Sequence, residues 1–337
     1  MALAVVERNA LLEQAWSLLA ARDYVAIVEL LADLPLDEHV REPELGVILC
    51  SAWFQVGELD RSLVLVQQLT DVCERRGNTW LSRRRLNCEG LIRVTRVELD
   101  AAEPLLQEVL ARAESAGDGQ MVTWVHNNLG ILYTSRGSWD FALSHYRRGI
   151  AAGQRIGDVR HLSLCHMNMS TAYFRTDRLS DAQEHIQQAL DLARESASEA
   201  EIAHIECSHA NILLAGGDIS LAKAVLERAR NRFSALNSTK GLAIVEHVSG
   251  RLLMHQGHSA EARDALKKAL KISEETGYKE LSGFILESLA VLHGEVGEVD
   301  AAKEYFARAI GFFSRLGNTY ELDRLRSRSR VYLQHGE

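Results

Sequence analysis

Few residues in this sequence stand at spacings that do chemistry. The best metal-ligating set is His204 and Cys207, within His204-Ile-Glu-Cys207, joined by His247 one 40-residue step after Cys207. Residues three apart share a helical face. Three ligands leave a structural zinc site one short, and ordinary packing in a groove or core explains them as well. No glycine-rich phosphate loop follows a strand, and there is no HExxH, GxSxG or kinase signature. No catalytic residue, metal or cofactor is therefore expected.

Two polar patterns remain. Arg83-Arg84-Arg85, with Arg75, Arg76, Arg93 and Arg96 nearby, suits an acidic partner or phosphate. The alternative is a solvated helix face neutralised by Glu74, Glu89 and Glu98. Without interleaved aromatics, and in a chain of net charge −8, nucleic acid is not the expected partner. The second pattern is asparagine, treated below with the elements that carry it.

The 337 residues are 47% hydrophobic, hold only 3 prolines and lack the alternation of β-strands, so helix is expected throughout. No apolar run is long enough to span a bilayer, and Met1 to Ala10 lacks the layout of a signal peptide. The 5 cysteines form no CxxC pair, which fits reduced thiols and a cytoplasmic setting.

The chain repeats itself every 40 residues. Gly57-Glu-Leu-Asp60-Arg-Ser62 recurs as Val97–Ala102, Gly137–Ala142, Asp177–Ala182, Gly217–Ala222, Gly257–Ala262 and Gly297–Ala302. A column of small residues runs Cys50, Gly90, Gly130, Ser170, Ala210, Gly250, Ala290, and a bulky one runs Val66, Leu106, Tyr146, Ile186, Leu226, Leu266, Phe306. Small side chains let helix backbones approach and bulky ones fill the volume between. A second punctuation column, Gly77, Gly117, Gly157, Ala197, Asn237, Gly277 and Gly317, suits left-handed helix ends, Ala197 excepted. Asp60, Asp100, Asp140, Ser180, Ser220 and Asp300 suit an N-cap or first turn. Each unit reads as two helices, with pairs beginning near residues 3, 43, 79, 119, 159, 199, 239 and 279 and a last helix near 319.

These columns resemble the tetratricopeptide repeat (TPR): Trp124, Leu129-Gly130, Tyr133, Ala142, Tyr146 and Gly149 match its pattern at the right spacing. The 40-residue step, and Gln154 where the family closes with proline, resemble its long-repeat branch. That branch holds Rap-type peptide receptors, Leu-Gly-Asn adaptors and the sensor arms of bacterial regulators. The resemblance implies a right-handed all-α solenoid that binds a peptide or protein. Residues 1–34 would form a divergent opening hairpin, 43–317 seven repeats and 318–337 a capping helix, with Pro35 and Pro43 bracketing a linker. In the cap, Leu322, Leu325 and Tyr332 would cover the array while Arg324, Arg326, Arg328 and Arg330 solvate it. The stop at Gly336-Glu337 suits a domain excised from a larger regulator, the alternative to a free-standing scaffold.

In the family the first helix of each hairpin lines the concave face. By that analogy the partner site holds Arg84, Asn87, Asn127, Asn128, Asn168, Thr171, Arg175, Asn211, His247 and Arg251. Asparagine is a mediocre helix former whose amide both donates and accepts, so it can grip a peptide backbone. The competing reading is that Asn127 and Asn168 bond to neighbouring helices and stitch the repeats together. The lysines of the family's carboxylate clamp are replaced by Asn, Met or Cys, which argues against binding chaperone tails.

Overall fold

The computed structural model describes residues 5–77, 79–196 and 199–333, and among them every regular element is an α-helix. Ala197, Gly336 and Glu337 lie outside the described residues. The helices are α1 (Val5–Ala21), α2 (Tyr24–Leu31), α3 (Leu36–Arg41), α4 (Pro43–Val56), α5 (Leu59–Gln68), α6 (Thr70–Arg75), α7 (Thr79–Thr95), α8 (Leu99–Ser115), α9 (Gly119–Ser135) and α10 (Trp139–Ile156). They continue as α11 (Val159–Arg175), α12 (Leu179–Ser196), α13 (Glu199–Ala215), α14 (Ile219–Ala235), α15 (Thr239–His255), α16 (Ser259–Glu275), α17 (Lys279–Glu295), α18 (Val299–Arg315) and α19 (Thr319–Leu333). From α4 onward the first helices of the hairpins start at 43, 79, 119, 159, 199, 239 and 279, and α19 at 319, so the 40-residue step is kept from 79 on.

Two details differ from the sequence reading. The segment between Pro35 and Pro43 is helix α3, because both prolines occupy helix starts: Pro35 is an N-cap residue and Pro43 opens α4. The second helix of that repeat is divided at Leu69 into α5 and α6, although the Leu69 N–H still donates to Leu65 O and Cys73 N–H to Leu69 O.

The helix ends show why the punctuation recurs. At the turns between most of the repeat helices one residue is left-handed, Gly117 (φ +65°) and Asn237 (φ +49°) for instance, each following the C-cap residue of its helix, and lets the chain reverse. The next residue then caps the following helix: Asp118, Asp158, Ser238 and Asn318 accept from Met121, His161, Gly241 and Glu321 N–H. Asp60, Asp100, Asp140 and Asp300 sit instead within the first turn, where a carboxylate favours the helix dipole.

The chain divides into two compact units, residues 1–125 and 126–337. The first has its own core, in which Ile27, Leu45, Ile48, Leu65 and Leu81 are shut off from solvent. In the second, small and bulky columns interlock: a Cβ placed on Gly130 would lie 2.2 Å from Tyr146 Cε1, and one on Gly250 2.6 Å from Leu266 Cγ. Tyr146 and Leu266 are fully buried, so each fills the notch that glycine leaves. At its far end α19 packs on α18 and α17, and its Leu322 and Leu325 are buried.

Candidate functional site

In the second unit the first helices of successive hairpins present one face to a common cavity of about 330 Å³. Helix α11 contributes Asn168, Thr171 and Arg175; α13 contributes Ser208 and Asn211; α15 contributes His247 and Arg251. Phe174, Ile244, Phe284 and Phe312 supply apolar wall. The cavity thus combines a mostly apolar surround with a few convergent polar groups, the usual make-up of a ligand site.

Helix α19 closes the ring. The Asn318 amide donates to Ser135 O at 2.9 Å, the Tyr320 hydroxyl donates to Arg175 O at 2.7 Å, and Trp139 meets Tyr320 edge to face. Arg175 donates from Nε to Glu321 at 2.9 Å, and its guanidinium lies 4.5 Å from the Phe284 ring centre. Arg324 is largely shielded from solvent, whereas Arg328 keeps half of its side chain exposed, as expected of a solvating residue. Arg324 bonds both Glu321 and Glu287, and Arg328 bonds Glu287 at 2.7 Å, because Glu287 is buried on the neighbouring α17 and needs counter-charge. Burial opposes ionisation of Glu287, yet Arg324, Arg175 and Arg328 hold its carboxyl down at about 2.

The ten residues named from sequence divide in space. Asn168, Thr171, Arg175, Asn211, His247 and Arg251 line the cavity; Arg84, Asn87, Asn127 and Asn128 do not. The Asn168 amide donates to Asn127 Oδ1 at 2.8 Å, an inter-repeat stitch of the kind weighed above. Thr171 Oγ1 donates to Met167 O within its own helix. His247 Nε2 shares a 3.0 Å hydrogen bond with Ser288, and Arg251 donates to Asn211. Burial, reinforced by Arg251, lowers the His247 pKa to about 3, so the ring is neutral.

His204, Cys207 and His247 all touch the cavity, but His204 packs edge-on to Phe233. Among the described residues no three His, Cys, Asp or Glu side chains gather to hold a metal ion.

The first unit corrects the reading of the arginine run as a solvated face. Arg83 and Arg85 are buried, Arg83 paired with Asp118 at 2.9 Å and Arg85 with Glu89 at 2.9 Å. Arg84 is stacked among Trp16, Trp80 and Trp124, with ring centres 5.6, 4.6 and 5.0 Å away.

Sequence reasoning missed a pair of histidine contacts repeated one step apart. His126 Nδ1 lies 3.0 Å from His145 Nδ1, and His166 Nδ1 lies 3.0 Å from His185 Nδ1. Tyr133 and Tyr173 stack on the second ring of each pair. The 19-residue spacing, recurring after 40, was the available signal.

Successive helical hairpins whose first helices line a shared concavity define a TPR-type α-solenoid. The chain belongs to the MalT-like TPR region family, which matches residues 78–280. Among solved structures it is similar to a Rap protein complexed with competence and sporulation factor (18% identity, TM-score 0.67, 88% of this chain and 84% of that one). It is also similar to NprR in complex with its cognate peptide NprX (14% identity, TM-score 0.57, 89% and 88%). A third likeness is to a signal transduction ATPase of Pyrococcus horikoshii with a tetratricopeptide repeat sensor (14% identity, TM-score 0.53), where the match covers 84% of this chain and 43% of that one. Curated protein sequences gave no match.

Proposed function

We propose that this protein is a non-enzymatic receptor or scaffold that takes a peptide, or a peptide-like segment of a partner protein, into the concavity of residues 126–337. The observation that carries the proposal is the cavity: four first helices, α11, α13, α15 and α17, contribute amide, guanidinium and aromatic groups to one partly open concavity. Amides and an arginine satisfy a peptide's main chain, while the phenylalanines take its side chains. Two of the similar folds were solved with a bound factor or peptide, which supports the reading.

The cysteines in and near this unit's core are not activated nucleophiles. Burial pushes the Cys165 thiol up to about 12 and raises that of Cys207 further, which keeps both protonated. All 5 cysteines are free and buried, and among the described residues no helix is long and apolar enough to cross a membrane. These features fit a cytoplasmic setting, with neither nucleic acid nor membrane as the direct partner. A sensor arm within a larger regulator is the second reading, favoured by the likeness to the sensor-bearing ATPase.

Phage-displayed random heptapeptides panned against the full chain test the proposal. Ser208→Phe, which fills the cavity from α13, serves as the comparison, and circular dichroism confirms its helicity. Enrichment on the native chain that disappears with Ser208→Phe supports the site. Equal enrichment on both, or none on the native chain, contradicts it.

A further inference from the structure

The charges around the cavity do not balance. Arg175, Arg251, Arg324 and Arg328 face two carboxylates, Glu287 and Glu321. Both carboxylates are consumed: Glu321 by Arg175 and Arg324, Glu287 by Arg324 and Arg328. Arg251 is left over. Its guanidinium donates to the neutral Asn211 amide and lies 5.9 Å from the Phe174 ring centre, and no carboxylate of the described residues pairs with it. Burial lowers its pKa to about 10, with Glu287 opposing and Arg175 adding to the effect, so it is charged at neutral pH yet poorly compensated. A desolvated cation without an anion is costly, and a bound anion removes the cost.

We propose that Arg251 anchors the C-terminal carboxylate of a short peptide whose last side chains are apolar. The inference rests on the peptide-receptor reading and names the part of the peptide that enters. A space of about 330 Å³ admits the end of a chain more readily than its middle. The surplus of positive charge selects the anionic end over the ammonium end. Guanidinium and carboxylate match as a two-pronged pair, which fixes the terminus in direction as well as position. Phe174, Ile244, Phe284 and Phe312 then surround the last side chains.

The test uses the full chain and a set of tripeptides ending in Leu or Phe, each made as the free acid and as the C-terminal amide, titrated by calorimetry. The free acids should bind the native chain about tenfold or more tightly than the amides, as expected when a charged hydrogen bond is lost. Arg251→Met should erase the difference. Without peptide it should melt no lower than the native chain, because it removes an uncompensated charge; a purely structural Arg251 would instead lower the melting point. Arg251→Lys should retain a reduced preference. Equal affinity for acid and amide on the native chain, a comparison that needs no variant, would overturn the anchor. If such equal binding is lost in Ser208→Phe, the peptide site stands and only the anchor fails. If no peptide binds but benzoate raises the melting point of the native chain and not of Arg251→Met, the anion anchor stands and the peptide reading fails.

Discussion

Arg175 on α11 and Glu321 on α19 lie 146 residues apart in sequence, yet Nε of the arginine donates to the carboxylate at 2.9 Å. Glu321 is fully buried and is shared with Arg324, so this contact closes the second unit's concavity with a charge that has no water to fall back on. Glu321→Gln keeps the shape and removes the charge. We expect a loss of roughly 1–3 kcal/mol in urea unfolding, the range for hydrogen bonds to charged groups and their unmet partners. Hydrogen exchange should quicken in α19 before the rest of the unit. The exposed neighbour Asp323→Asn should change little.

Gly130 and Gly311 make a paired test of the repeat. A Cβ at Gly130 would collide with the buried Tyr146 ring at 2.2 Å, whereas one at Gly311, on the exposed face of α18, meets nothing within 4 Å. Gly130→Ala should destabilise by ~1–3 kcal/mol through overpacking. Gly311→Ala should stabilise by ~0.5–1 kcal/mol by favouring helix. Thermal melts giving both variants the same sign would refute the column assignment.

Much of this was legible in the sequence because a repeat states its rule many times. The step located the helix starts, and the small and bulky columns named Gly130 and Tyr146 as neighbours. What the repeat cannot state is any contact that occurs once. Arg175 meets Glu321 only because the hairpins curve until α19 returns to α11, and curvature is the sum of small packing angles that no single column encodes. The same holds for Glu287, whose burial draws Arg324 out of solvent and one end of the half-exposed Arg328 toward it. The Asn127–Asn168 bond was weighed as one of two readings, since an amide suits a neighbour as well as a ligand. Arg83 and Arg85 misled because a run of charge usually marks a wet surface, whereas here Asp118 and Glu89 make burial tolerable.

Val97 occupies the punctuation position that glycine holds in most repeats, and its φ of +71° is left-handed. A β-branched residue is strained there. Val97→Gly should raise stability by ~0.5–1 kcal/mol, some of the relieved strain being offset by lost side-chain contacts. A lower melting temperature for the variant would show that packing outweighs the backbone.

Stability should fall as the solution is acidified below neutrality. Burial lowers the pKa of His126, His166 and His204 to about 4 and that of His247 to about 3, all from an ordinary value near 6.5. Their folded pKa values are depressed, so the unfolded chain binds protons first. The contribution is complete above pH ~6.5 and is lost as pH falls toward 4 and then 3. Glu287, held at about 2, adds a second loss between its ordinary range and pH ~2. Urea midpoints at pH 7.5, 6 and 5 should decline in that order. Replacing His126 and His166 by Gln should flatten the decline, and a midpoint independent of pH would contradict the buried neutral histidines.

The central claim is that the concavity of residues 126–337 receives a peptide. The most direct measurement is photocrosslinking with a display-enriched peptide carrying photoleucine near its C-terminus, followed by mass spectrometry of the full chain. We predict crosslinks on the cavity-facing residues of α11, α13 and α15, around Asn168, Thr171, Ser208, Asn211 and His247. Crosslinks confined to exposed residues of the second helices, such as those of α12, α14 and α16, would contradict it.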